Sequence, residues 1–301
     1  MFRAATALVL LGFSSPAFAA TDPCPFEPWS RADLVALKES DSTLDAAKRD
    51  ELARGLVACL GSPDPELRDD VAFTVISRWL RAKELEQETI IALAESMVSR
   101  LEDAGEDPSG FRKPFAALAL SEVVRADRID AVFPETLRRK LAPAAARYLT
   151  GVRDYRAFDP VEGWRHGVAH GADLVLQLGL NPHIPEEEVR LLLDSVASQT
   201  GPTTIAYDAG EPERLARAVF FVHGRNLLGE AYWSQWFEKV GDPAPLSSWR
   251  AAFTSREGLS RRHNTLAFLH AIAFAARANP GPASDRIGAL AHRELLRVMG
   301  G

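Results

Sequence analysis

The sequence predicts an all-α protein, an α-solenoid of HEAT- or armadillo-like helix pairs. Three observations predict it. Apolar residues recur at helical spacing through most of the chain, and strand-like alternation is scarce. The breaks between these stretches carry Pro, Gly, Asp and Ser. Helix pairs begin near Ser30, Asp64, Asp107, Asp159, Glu211 and Ser255, roughly 35 to 51 residues apart, close to the period of such repeats. A helix pair of this kind buries its apolar face only against its neighbours.

Residues 1–19 stand apart. Arg3 gives a positive start, Ala4 to Phe13 is an apolar run too short to span a bilayer, and Ala17-Phe18-Ala19 fits a small-x-small cleavage site. They read as a secretory signal peptide cut at Ala19-Ala20, which makes the protein exported, periplasmic or secreted. Cys24 lacks the small apolar residues before it that lipid attachment needs. The mature chain, 20–301, reads as a single helical repeat domain of about six helix pairs. Cys24 and Cys59 are its only cysteines. In an oxidising compartment they are disulfide partners; the alternative is two buried thiols.

The first helix is expected from Ser30, an N-cap, to about Ser40, and the second from Leu44 to Leu60. Asp64-Pro65 opens a third, ending near Lys83, because Asp caps free amides and Pro suits the first helical position. A fourth covers Gln87 to Glu102. Asp107-Pro108 opens the fifth, which runs to about Ala126, and the sixth covers Pro134 to Thr150 with a kink at Pro143. Asp159-Pro160 opens the seventh. The eighth runs from Pro185 to Gln199, its Glu186, Glu187 and Glu188 suiting the positive end of the helix dipole. Further helices are expected over Pro212–Leu228, through Trp233 to Val240, near Trp249, over Gly258–Ala278 and over Ser284–Met299. Three starts share a pattern: Asp-Pro, then Arg68, Arg112 or Arg165, then Val71, Phe115 or Val168 and an alanine.

The net charge is −6 with no dense basic block. That argues against a nucleic-acid partner, since counterion release needs a positive face. No run after the leader is long and apolar enough to cross a membrane.

The seventh helix carries the candidate site. Placed on one helical wheel, Glu162, His166, His170, Asp173 and Gln177 fall within an arc of about 80°. The rest of the circumference is apolar or glycine, so the helix is buried on most sides. Aligned on the shared arginine, His170 stands where Phe73 and Ala117 stand, and Asp173 where Ile76 and Leu120 stand. Buried ionisable groups need partners. Each other, a ligand or a divalent metal such as zinc would serve, since i, i+4 imidazoles and a carboxylate are ligand types. Glu162 has a plainer reading as a capping-box residue answering Asp159. Trp164 reads as core. His223, His263 and His270 are weaker members of the same set; His263 and His270 repeat the offsets of His166 and Asp173.

The stretch Glu162-Gly163-Trp164-Arg165-His166-Gly167-Val168-Ala169-His170-Gly171-Ala172-Asp173 resembles the most recognisable segment of a bacterial family catalogued as domain of unknown function 2785. That segment reads approximately E-x-G-W-x-H-x-x-A-H-x-x-D, and here Glu162 directly precedes the glycine. The resemblance is strongest over about residues 110–240. It implies a helical, repeat-like fold and no particular activity.

Three functions fit these observations. One is an exported protein that binds a ligand or partner in a groove lined by His166, His170 and Asp173. The second is a metal-dependent hydrolase using the same stripe, although no recognised hydrolase or zinc motif is present. The third is a structural envelope protein in which the stripe is a buried polar network.

Overall fold

The structure, a computed structural model, describes residues 24–39 and 44–301. It is all-α: among the described residues, 12 α-helices are joined by turns and accompanied by one small two-stranded hairpin. The expected signal peptide and its cleavage point lie outside the described residues.

Helix α1 (Arg31–Ala36) begins as expected at Ser30, in a capping box with Asp33. Helix α2 (Ala46–Leu56) tightens into a 3-10 turn, Val57–Gly61. Cys59 in that turn is joined to Cys24 by a disulfide, which ties down the Pro-rich start of the described chain. At the third start, Asp64 accepts from the Glu66 amide at 2.9 Å. A π-helical segment, Glu66–Phe73, then runs directly into α3 (Thr74–Ala82), and Lys83 ends it in the left-handed conformation. Helix α4 (Gln87–Glu102) occupies its predicted span.

Asp107-Pro108 does not open the next helix. The Asp107 carboxylate accepts from the amides of Gly110 and Lys113, which makes a capped turn, and Gly110 at φ 74° redirects the chain. Helix α5 (Arg112–Asp130) therefore starts later and runs further than the pattern implied. Helix α6 (Glu135–Gly151) continues through Pro143. After the hairpin come α7 (Gly167–Leu180), α8 (Glu186–Ala197), α9 (Glu211–His223) and α10 (Glu230–Val240). A 3-10 turn, Arg250–Thr254, leads into α11 (Arg256–Ala278) and α12 (Pro282–Gly300).

The helices pack in two ranks. In the first, the π-helical segment with α3 packs on α5, α5 on α7, α7 on α9, and α9 on α11. In the second, α2 packs on α4, then α6, α8, α10 and α12 in sequence. The core runs between the ranks and includes the fully buried Trp79, Phe111, Phe237 and Phe268. Each large apolar side chain so buried contributes about 1.5–3 kcal/mol. The first rank keeps one side uncovered, its free face, which shows as the half-buried and exposed positions of α5, α7, α9 and α11. No helix among the described residues is long and apolar enough to cross a membrane.

Candidate functional site

The candidate stretch opens as a hairpin, not as a helix. Strand β1 (Phe158–Asp159) pairs antiparallel with β2 (Gly163–Trp164), Phe158 facing Trp164. Asp159 Oδ1 accepts from the amides of Val161 (2.8 Å) and Glu162 (2.9 Å), closing a turn where a helix start was expected. Gly163 at φ 79° and His166 at φ 53° are both left-handed, a conformation foreign to the interior of a right-handed helix. Helix α7 can start only after them. Glu162 is therefore not a capping-box residue, and it shares no helical wheel with His170.

Glu162 belongs instead to a buried cationic network. Its carboxylate accepts from Arg165 Nη2 at 2.6 Å, and its backbone carbonyl accepts from Arg68 Nη2 at 2.7 Å. Arg68 is fully buried, paired with Asp69 and bonded to the Ser62 carbonyl. Both guanidinium groups lie over the Phe111 ring, Arg68 at 3.8 Å and Arg165 at 4.4 Å. Burial lowers the Arg68 pKa despite Asp69, and Arg165 lowers it further. The network joins the start of the π-helical segment, the turn before α5 and the hairpin into one knot at one edge of the first rank.

Trp164, expected in the core, stands 41% exposed, beside Phe158 at 58%. Its ring stacks on His166 with centroids 4.3 Å apart. His166 Nε2 donates to the Ala209 carbonyl at 2.8 Å, so in the neutral ring Nδ1 is the acceptor nitrogen. Glu211 lies 3.9 Å from the same Nε2. His170 meets His166 edge-on at 5.9 Å and Phe115 at 5.1 Å. It is buried, and its Nδ1 has no hydrogen-bond partner. Burial pushes its pKa down to about 3; His166 and Arg214 add to the effect and the Pro114 carbonyl opposes it. His170 is therefore neutral at ordinary pH.

Among the described residues, no hydrogen bond or ion pair joins Asp173 to His170. Its carboxylate is engaged by Arg214 of α9, on the free face. Burial nevertheless raises its pKa, outweighing Arg214. Gln177, one turn on, accepts from Arg128 of α5 at 3.1 Å. The expected stripe thus divides. Glu162 and His166 sit at the edge, His170 is sealed between α7 and α5, and Asp173 and Gln177 line the free face. No group of three His, Cys, Asp or Glu side chains among the described residues comes together to hold a metal ion.

The weaker candidates lie elsewhere. His263 and His270 line a cleft of about 480 Å³ on α11 with Arg262. His223 ends α9 and borders a cavity with Asn226 of the following turn and Glu230 at the start of α10. Sequence reasoning missed Arg214, whose spacing with Arg217 and Phe221 (i, i+3, i+7) is the one signal that places it on an uncovered face. It also missed Phe111, the ring beneath both arginines, because an aromatic before a helix reads simply as core.

Fold and site together define a two-ranked helical protein with a free face of mixed polar and apolar side chains and a buried cationic knot. The chain belongs to the family described as protein of unknown function (DUF2785), whose profile matches residues 97–274, from α4 through most of α11. No curated protein and no solved structure matches it.

Proposed function

We propose that the protein is an exported binding protein. In this reading the helix pairs form an α-solenoid in one domain over residues 20–301, and a ligand or protein partner docks along the free face across α7. Helix pairs stacked in two ranks support the solenoid, and such arrays offer extended binding surfaces. The Cys24–Cys59 disulfide supports an oxidising compartment.

The observation that carries the binding reading is the charge on the free face. Arg128 and Arg214 hold Gln177 and Asp173 there, and Arg217 acts on the same Asp173 carboxylate, on a chain whose net charge is −6. With Glu122 paired by Arg81, the arginines Arg128, Arg214 and Arg217 stand against Asp173 and the exposed Glu213, three cations to two carboxylates. Such segregation favours a partner bearing acidic groups, and the complex should weaken with salt. Groove-facing members of the expected set are thus Asp173 and Gln177, with His166 and Trp164 at the rim.

The structural reading draws support at one place, the knot of Glu162, Arg165 and Arg68, which protein groups satisfy internally. The metal-dependent hydrolase draws none, since His166, His170 and Asp173 each engage a different neighbour.

The test uses immobilised mature protein exposed to its own envelope extract. A species retained by wild type and by an Arg190→Glu variant on α8, eluted by salt and lost with Arg214→Glu/Arg217→Glu, is the expected result. Equal retention by the double variant contradicts the reading.

A further inference from the structure

The cavity formed by the end of α9, the start of α10 and α12 lies away from α7 and is not part of the reading above. It encloses about 610 Å³, within the range of small-molecule sites. We propose that it binds a small monocarboxylate with an apolar body of about aromatic size, its carboxylate on Arg286 and a polar group or oxygen on His223.

His223 is the first observation. It is only 6% exposed, it lines the cavity, and its ring forms no hydrogen bond among the described residues. Buried polar groups are nearly always bonded, so a ring open toward a cavity takes its partner from outside the chain, either water or a ligand that displaces it. Trp233 packs edge-on against it at 4.9 Å and fixes its plane. Burial pushes its pKa down to about 4, with Arg286 adding to the shift. It therefore offers a neutral donor and acceptor, and the charge must come from elsewhere.

Arg286 supplies that charge. Its Nη2 donates to Asn226 Oδ1 at 3.0 Å, and no carboxylate among the described residues pairs with it. One side of the guanidinium is held and the rest is open for a fork-like carboxylate contact. Asn226 adopts a left-handed backbone at φ 54°, and its Nδ2 bonds the Gly224 carbonyl. Arg293 is already engaged by Glu294 and Ser234, so Arg286 is the available cation. Trp233, Leu228 and Leu290 provide the apolar walls. Glu230, exposed at the rim, disfavours a second anionic group and sets the class as a monocarboxylate.

The probes are 3-phenylpropionate, octanoate and the neutral 3-phenylpropionamide, titrated into the full mature chain by calorimetry and ligand-observed NMR. At least one acid should bind, with the amide about tenfold or more weaker, the loss expected from a charge-assisted bond. Arg286→Gln should bring the acid down to the amide's level. Leu290→Trp, which fills the cavity, should abolish binding, and Arg214→Glu/Arg217→Glu should leave it unchanged. Arg286 is exposed, so its variant is expected to fold and melt like wild type. Acid and amide binding alike, undiminished acid binding by Arg286→Gln, or no acid binding below about 10 mM would each overturn the proposal.

Discussion

His170 combines full burial with an unbonded ring nitrogen, and both properties have a thermodynamic consequence. An unfolded histidine titrates at about 6.5. Folded His170 titrates at about 3 and His223 at about 4. Between these values and the unfolded one, the unfolded chain binds more protons. The stability is thus fully present above the unfolded pKa and is lost as pH falls below it, by about 1.4 kcal/mol per pH unit for each histidine. The upper part of this window, about pH 5 to 6.5, lies above the range where most carboxylates titrate. Urea denaturation at pH 7 and pH 5.5 should show the loss, and His170→Phe should remove about half of the slope without lowering stability at pH 7. An unchanged slope in His170→Phe would mean that the ring is protonated or solvated in the folded state. At the same scale, Arg165→Ala should cost about 3 kcal/mol, because it leaves Glu162 and the Ser109 carbonyl without their donor and uncovers Phe111. Chemical denaturation of the variant measures it.

At the scale of elements, the decisive feature is where α7 begins. The helical wheel counted Glu162 and His166 with His170 because Asp159-Pro160 carries the signature of a helix start. Asp also closes short turns by accepting from the following amides, and composition does not separate the two uses. The left-handed backbone at Gly163 was open to suspicion, since glycine permits it; that of His166 was not. Within α7 itself the periodicity held, which is why Asp173 and Gln177 share a face and the apolar positions are buried. The departures from the repeat pattern at positions 170 and 173 were legible as chemistry, but their different neighbours depend on packing across helices. The two early glycines of α7 differ in the same way. A Cβ on Gly171 would meet Leu149 Cδ1 at 2.9 Å and Tyr148 Cε1 at 3.2 Å, whereas one on Gly167 finds nothing closer than 3.5 Å. Gly171→Ala should therefore destabilise by about 1 kcal/mol despite the better helix propensity, and Gly167→Ala should be neutral or stabilising by up to about 1 kcal/mol. Paired urea melts decide it, and equal signs would contradict the packing described for α6 against α7.

For the whole molecule, helical periodicity and regular breaks made the all-α class and nearly every helix legible. The sequence could not say how helices pair across the ranks, because that order depends on contacts far apart in the chain. The disulfide was readable only from compartment and cysteine count. Closing a loop with a separation of 35 residues, it should contribute about 3–4 kcal/mol, so reduction should lower the melting temperature by several degrees. The free face remains the feature on which the functional account rests. A photo-crosslinking residue placed in turn at Gln177 and Arg217, and at Glu95 and Leu191 of the second rank, tests it in living cells. One common adduct is expected from Gln177 and Arg217, lost on adding Arg214→Glu, and none from Glu95 or Leu191. Adducts of equal yield from both ranks, or none from the free face, would contradict it.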